Sequence, residues 1–434
     1  MLTPEENDLL VRTGTGTPMG NLLRRFWMPA LLSEELPVPD CAPVRLGLVG
    51  EDLVAFRDTE GRVGIVEAYC PHRRANLFWG RNEENGLRCV YHGWKFDVNG
   101  RCVDIPNLER GDNIKSTMRI TAYPTIERGG LIWAYMGPPE LIPEFPAAEI
   151  FNLPPSHRHI AKIVTHGNWF QFLEGDIDTS HVGFLHNRID GVPLLPHSFI
   201  PDHFSVDRKP VWTVKSMDYG LMLAARRQPD VENYSWRVTQ WLMPFTSMIA
   251  AQKDSAFITN IRVPIDDERT MNLRMFARAD QPLTANDLAI VNGGVMFPDM
   301  IPGTFTTKAN IENDYLIDRE EQKTKSYTGI SSVPVQDLAV TQLQGGQWIA
   351  DRSRERLTES DMAIVAVRRR MLKAVRALMN NEEPPEAAKA EAYRVRSIDL
   401  LAPKDMGLLD AIRFTLPDYP AMVGNGKQLT EEVS

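Results

Sequence analysis

From Val44 to Val103, short apolar or alternating segments (VRLGLV, LVAFRD, VGIVEAY, LRCVY, WKFD) are broken by Gly, Asn and Asp. Alternation cut at short intervals by turn formers predicts a small antiparallel β domain. The proline-rich stretch from Ile142 to Pro155 (IPEFPAAEIFNLPP) reads as a connector to a second domain. Between Trp169 and Asn187, Phe170, Phe172, Leu173, Ile177, Val182, Phe184 and Leu185 are interleaved with Gln, Glu, Asp and His. That pattern predicts a mostly buried helix carrying polar groups inward. Each such group left unsatisfied costs about 1 to 3 kcal/mol, so partners or a metal are expected. Aromatic and β-branched residues gather again from Lys209 to Val263 (VWTVKSM, YSWRVTQWLM, SAFITNIRV) and predict a multi-stranded sheet. Further on, Met362, Ile364, Val365, Met371, Leu372, Val375 and Leu378 lie on a long amphipathic helix that Ser360 or Asp361 is expected to cap, and NNEEPPEAA after it reads as an exposed linker. Thr13 to Gly20 (TGTGTPMG) lacks the G-x-G-x-x-G spacing of a dinucleotide site and reads as loop. No internal repeat or low-complexity tract is present.

At 434 residues the chain exceeds what one core usually spans, so more than one domain is expected. A hydrophobic fraction of 43% and a charged fraction of 24% are those of a soluble globular protein. No apolar run approaches bilayer length, and the N-terminus (MLTPEENDLLVR) lacks the pattern of a secretory signal, so no membrane span and a cytoplasmic location are expected. A net charge of -9 without a basic block argues against a nucleic-acid partner. The four cysteines, Cys41, Cys70, Cys89 and Cys102, are read for metal or burial rather than for disulfides.

Cys70 and His72 form C-x-H, and Cys89 and His92 form C-x-x-H after sixteen intervening residues. Two short chelating pairs on neighbouring loops suit a metal centre. A structural zinc would take all four groups around one ion; a [2Fe-2S] cluster would take two thiolates on one iron and two imidazoles on the other. The C-x-H half is unlike the C-x(2-4)-C half of zinc fingers, and both pairs are mixed, which favours the cluster. Trp94 and Phe96 are placed to shield it from water.

Cys70-Pro71-His72-Arg73 with Cys89-Val90-Tyr91-His92-Gly93-Trp94 resembles the Rieske motif of the aromatic-ring oxygenases. In NWFQFLEGDIDTSHVGFLHNR, Asp178 and His181 are one helical turn apart, whereas His181 and His186 reach one metal only if the helix breaks, which Gly183 permits. Two histidines and a carboxylate make the facial triad of oxygen-activating Fe(II) enzymes; taken alone, both histidines are equally well read as core residues.

The D-x-x-H-x-x-x-x-H string resembles the mononuclear-iron motif of the same family. The resemblance implies that Asp178 links cluster and iron rather than binding metal. It also implies that the third iron ligand lies on a late helix, where Asp337 in VPVQDLAVTQLQGG matches best and Asp351 and Asp361 are alternatives.

The implied fold class is α+β: residues 1–43 as an N-terminal segment packing on the catalytic domain, 44–145 as an all-β Rieske [2Fe-2S] domain, and 146–434 as an α/β catalytic domain whose large antiparallel sheet and helices surround a mononuclear Fe(II). The implied assembly is a trimer or stacked trimers in which His92 of one chain meets Asp178 of the next. With no nicotinamide or flavin fingerprint in the chain, a separate NAD(P)H-dependent flavin and iron–sulfur reductase is expected to supply electrons, with O2 as co-substrate. The N-terminal TGTGTPMGNLLRRFWMPALLSEEL resembles the phthalate dioxygenase branch, which implies dihydroxylation of an aromatic carboxylate, or O-demethylation or monooxygenation on the same scaffold. Arg208 and Arg237 are the candidate carboxylate binders.

Overall fold

Alternation in the first third of the chain becomes strand pairing in the computed structural model, which describes residues 2–109, 114–192 and 207–419. The chain divides into two units: Thr13–Pro143 with Pro264–Asp266, and Met1–Arg12 with Glu144–Val263 and Asp267–Ser434. In the first, Val44–Leu48, Glu51–Arg57, Val63–Glu67 and Ala122–Tyr123 form one four-stranded sheet, and Arg81–Glu83, Gly86–Arg88, Lys95–Phe96 and Cys102–Asp104 form another. Val54, Phe56, Val66, Leu87 and Phe96 build its core together with Cys70, Cys89 and Cys102. Cys41 is half-buried, and all four thiols are free of disulfides.

Residues 13–43 fall with this β unit. The fully buried strand Trp27–Leu32 pairs antiparallel with Leu131–Tyr135, which ties that segment to it, whereas only the first twelve residues group with the catalytic unit. The loop expected over Thr13–Gly20 ends in a short helix, Pro18–Leu23: Thr17 Oγ1 accepts from Gly20 N, and Pro18 holds the first helical position.

The second unit is built on an eight-stranded sheet in the order Arg158–His166, Arg269–Ala277, Phe257–Pro264, Thr246–Ile249, Asn233–Leu242, Gly220–Arg227 and Val211–Met217, with Ile398–Pro403 paired to Asn233–Leu242. Helices Trp169–Ile177, Val333–Thr341 and Met362–Met379 belong to the same unit, and the first packs against both others. The long helix buries Ala363, Ala366, Val367, Met371, Leu372 and Val375 on one face. Neither Ser360 nor Asp361 caps it with a side chain. Asp361 instead accepts from Thr358 N at 2.7 Å and closes a capping box on the preceding turn, Glu359–Asp361. NNEEPPEAA is not simply exposed: Pro384 and Glu386 are buried, and Glu386 pairs with Arg370.

The inward polar groups of Trp169–Ile177 find partners. Gln171 donates to the carbonyls of Thr341 and Gln342 and accepts from Ala350 N. Glu174 lies between Arg352 and Arg368, and Asp176 takes Arg262 and Asn260. Among the described residues no helix is long and apolar enough to cross a membrane.

Candidate functional site

The two Cys–His pairs sit on two turns of the β unit. The first is closed by Arg74 N donating to Cys70 O and Cys70 N to Ala75 O; the second by Gly93 N donating to Cys89 O and Cys89 N to Trp94 O. Gly93 has a φ of +80°, and a Cβ there would stand 2.6 Å from Pro106 Cγ, so the second turn requires glycine. Arg88 braces this turn, donating to Gly93 O and pairing with Glu83 and Asp104.

The rings of His72 and His92 lie 4.3 Å apart, and Trp94 stacks on His72 at 4.8 Å and 4°, with its indole N–H fixed on Asn107. Phe96, also expected to shield the site, is wholly buried in the surrounding core. His72 Nδ1 is buried with no hydrogen-bond partner among the described residues. Burial pushes the Cys70 thiol up to about 11, with the nearby Cys89 adding to the effect. An orphaned imidazole nitrogen beside buried thiols fits a metal cluster, whose positive charge converts such thiols to thiolates.

The helix predicted between Trp169 and Asn187 stops at Ile177, earlier than the break that Gly183 permits. Asp178 is its extended C-cap, and a single 3-10 turn, His181–Gly183, follows. That break lets both histidines reach one point. His181 Nε2 and His186 Nε2 are 3.2 Å apart, and Asp337 Oδ1 lies 3.2 Å from His186 Nε2 and 3.7 Å from His181 Nε2. Donors bound at about 2.1 Å to one ion stand roughly 3 to 3.5 Å from each other, so the trio fits a single metal.

Asp337 comes from the middle of Val333–Thr341. Asp351 and Asp361 instead accept backbone N–H groups of their own turns, from Ser353 and Thr358. Burial raises the Asp337 carboxyl, but His186 and His181 outweigh it and bring the group down to about 2.

Each histidine is held through its other nitrogen. His181 Nδ1 faces Asp178 Oδ2 at 3.4 Å, while Asp178 Oδ1 accepts from Ser180 N at 2.6 Å. Burial raises Asp178 too, yet its bond with His181 leaves it below the usual carboxylate range. His186 Nδ1 donates to Gln336 Oε1 at 2.7 Å, and Gln336 Nε2 donates to Ile330 O at 2.6 Å. The amide is therefore fixed with its oxygen toward the ring, which leaves His186 Nε2 as the acceptor facing Asp337. Gln336 carries one sequence signal, its place beside Asp337.

A cavity opens on this trio, with Asp178, Arg237, Thr239, Asn260 and Arg274 among its polar lining and Ile249, Ile258, Met296 and Val333 among its apolar lining. Of the two arginines predicted from sequence, Arg237 lines it, buried and paired with Asp399 at 3.1 Å. Arg208 is exposed, lies outside that lining and packs over the Phe184 ring at 4.7 Å. Arg274 was not anticipated.

A Rieske [2Fe-2S] domain model matches residues 26–124, and a LigXa C-terminal domain-like model matches residues 134–408. The 3-chlorobenzoate-3,4-dioxygenase oxygenase subunit of Comamonas testosteroni is 39% identical over 94% of this chain and 96% of its own length. The phthalate 4,5-dioxygenase oxygenase subunit of Pseudomonas putida is likewise 39% identical, over 94% of each chain. Among solved structures, the NdmA QL mutant of Pseudomonas putida CBB5 with caffeine shares the fold, with a TM-score of 0.58 over 89% of this chain and 98% of that one at 18% identity. The chain therefore belongs to the Rieske non-haem iron aromatic-ring-hydroxylating oxygenases, as an oxygenase (α) subunit that carries a Rieske [2Fe-2S] cluster and a mononuclear iron.

Proposed function

We propose that this oxygenase component dihydroxylates an aromatic carboxylate of the phthalate type, using O2 and electrons that a separate flavin and iron–sulfur reductase takes from NAD(P)H. The observation that carries this reading is the cavity: it joins the His181, His186, Asp337 trio to an apolar wall and two guanidinium groups. The names of the two 39%-identical relatives, which specify a chlorobenzoate and a phthalate, support the substrate class.

Cys70 and Cys89 would hold one iron of the cluster and His72 and His92 the other; His181, His186 and Asp337 would hold the mononuclear iron. Once bound, the cluster supplies single electrons and the mononuclear iron supplies oxygen activation. The chain's own residues set the conditions. Trp94 and the buried core under the two turns limit water around His72, and Gln336 fixes the ring of His186. Asp178 fixes His181 through Nδ1 while keeping 23% of its side chain exposed. That exposed edge would accept a hydrogen bond from His92 of an adjacent copy in a cytoplasmic homotrimer or stacked trimers. Ile249, Ile258, Met296 and Val333 would seat the ring, and Arg237 contributes positive charge to the same cavity.

The test is the purified chain with a matched reductase, NADH, and phthalate or 3-chlorobenzoate. Substrate-dependent O2 uptake with a diol product supports the reading. Uptake that yields only a monohydroxylated or demethylated product from every substrate tried would replace dihydroxylation, and zinc in place of iron and sulfide would overturn the oxygenase chemistry.

A further inference from the structure

The charged groups at the cavity pair off, with one remaining. Asp176 takes Arg262 and Asn260, Arg237 takes Asp399, Asp178 faces His181, and Asp337 faces both histidines. Arg274, on strand Arg269–Ala277, has no carboxylate within 4.0 Å among the described residues. Its Nε donates to Asn260 Oδ1 at 3.0 Å, and its Nη1 donates to Met296 O at 3.2 Å and approaches Met296 Sδ at 3.6 Å. Those contacts aim the guanidinium and leave both Nη2 hydrogens without a partner among the described residues. Burial, reinforced by the nearby Arg262 charge and opposed by Asp337 and Asp176, lowers the group to about 10, so it stays cationic at neutral pH.

Asp337 and Asp176 offset part of its charge from a distance, but with no carboxylate in hydrogen-bond contact among the described residues the guanidinium keeps donors for an anion that binds beside it. The surface beside it is apolar: Ile249, Ile258, Met296 and Val333 line the same cavity. Apolar side chains and a guanidinium edge in one cavity match a ring that bears a carboxylate, which a guanidinium grips with charge-assisted hydrogen bonds. Arg237 has less to offer that task, because its Nη1 is already engaged by Asp399 at 3.1 Å.

We propose that Arg274 is a specificity-determining residue whose Nη2 edge binds the carboxylate of an aromatic acid, with Asn260 and the Met296 carbonyl holding the guanidinium in place. The proposal rests on the aromatic-acid reading of the cavity and adds to it the group that selects acid over neutral ring.

The experiment is calorimetric binding of 3-chlorobenzoate and of its neutral isostere 3-chlorobenzamide to the purified wild-type oxygenase and to R274Q and R274K, with iron and sulfide assayed in each. Wild type should favour the acid by about tenfold or more, the scale of a charge-assisted hydrogen bond. R274Q should lose that preference at unchanged iron and sulfide, and R274K should keep part of it. Retained acid preference in iron-replete R274Q overturns the assignment. If R274Q does not fold, the wild-type comparison decides: equal binding of acid and amide overturns the anchor while leaving the oxygenase reading standing. Binding of neither by iron-replete wild type overturns the anchor and the aromatic-acid reading together.

Discussion

Gln336 controls which nitrogen His186 presents, since its own N–H group is committed to Ile330 O and only its oxygen is free to meet Nδ1. Removing an outer hydrogen bond of this kind typically costs about 10- to 100-fold in metal affinity. Gln336→Leu is therefore expected to lose mononuclear iron on dialysis while the visible spectrum of the cluster is unchanged, as read by iron per chain. Full retention of that iron would show that packing alone orients the ring. Asp178→Asn tests the other histidine: cluster and iron should be retained while product formation collapses, and near-wild-type turnover would remove Asp178 from the electron route. At this scale the Cys and His positions were legible because short chelating spacings are uncommon by chance. Gln336 and Arg274 were not, because neither belongs to a spaced motif and both acquire meaning only from what they face across the fold.

Glu174 shows how an element is held by charge. On helix Trp169–Ile177 it lies between Arg352, buried and bonded at 2.8 Å, and Arg368 at 2.6 Å. Burial by itself would raise this carboxyl, but the two guanidinium groups prevail and hold it below its ordinary value of 4.5. A carboxyl depressed in the folded state contributes stability that is fully present above the unfolded value and is lost as pH falls through the folded one. Thermal melts should therefore show wild type losing stability below about pH 4.5, and Glu174→Gln, which has no such ionisation, losing less over the same range. At neutral pH Glu174→Gln should cost about 3 kcal/mol, because the buried Arg352 loses its carboxylate while Arg368 keeps Glu355; a cost within 0.5 kcal/mol of zero would mean water reaches the pair.

The same helix marks the limit of pattern reading. Its apolar spacing predicts continuation to Asn187, yet the helix ends at Ile177, and the extended Asp178 that follows sets its carboxylate 3.4 Å from His181 Nδ1. Strand Arg158–His166 was passed over for a related reason. As an edge strand with only Lys162 and Ile163 buried, it lacks the apolar alternation of the central strands, and its nine-residue register with Arg269–Ala277 supplies what its composition does not. Thr17-Pro18 was a readable cap and start signal, masked by the glycines around it.

Over the whole molecule, the two metal sites depend on different kinds of burial. Cys70 and Cys89 are each 2% exposed within the β unit's own hydrophobic cluster. The trio instead lines an open cavity in the other unit, where His181 keeps 23% and Asp337 31% of the side chain exposed. A chelator therefore has a path to the mononuclear iron, whereas the cluster meets solvent on the side of the half-buried His72 and His92 and is held from beneath by the buried Cys70 and Cys89. Treating the anaerobic, reduced enzyme with a ferrous chelator should remove about one iron of three and leave two irons and both sulfides, the stoichiometry of one cluster and one single-iron site. The cluster spectrum should persist through this step, O2 uptake should vanish, and added Fe(II) should restore it without added sulfide. If absorbance at the cluster bands fell in parallel with the chelated iron, the two sites would share one stability, and the separation of their cores would not be what protects the cluster. Gln336→Leu sharpens the test: it should lose the single iron faster than wild type and the cluster no faster, because Gln336 bonds to His186 and to Ile330 O and to no residue of the cluster turns.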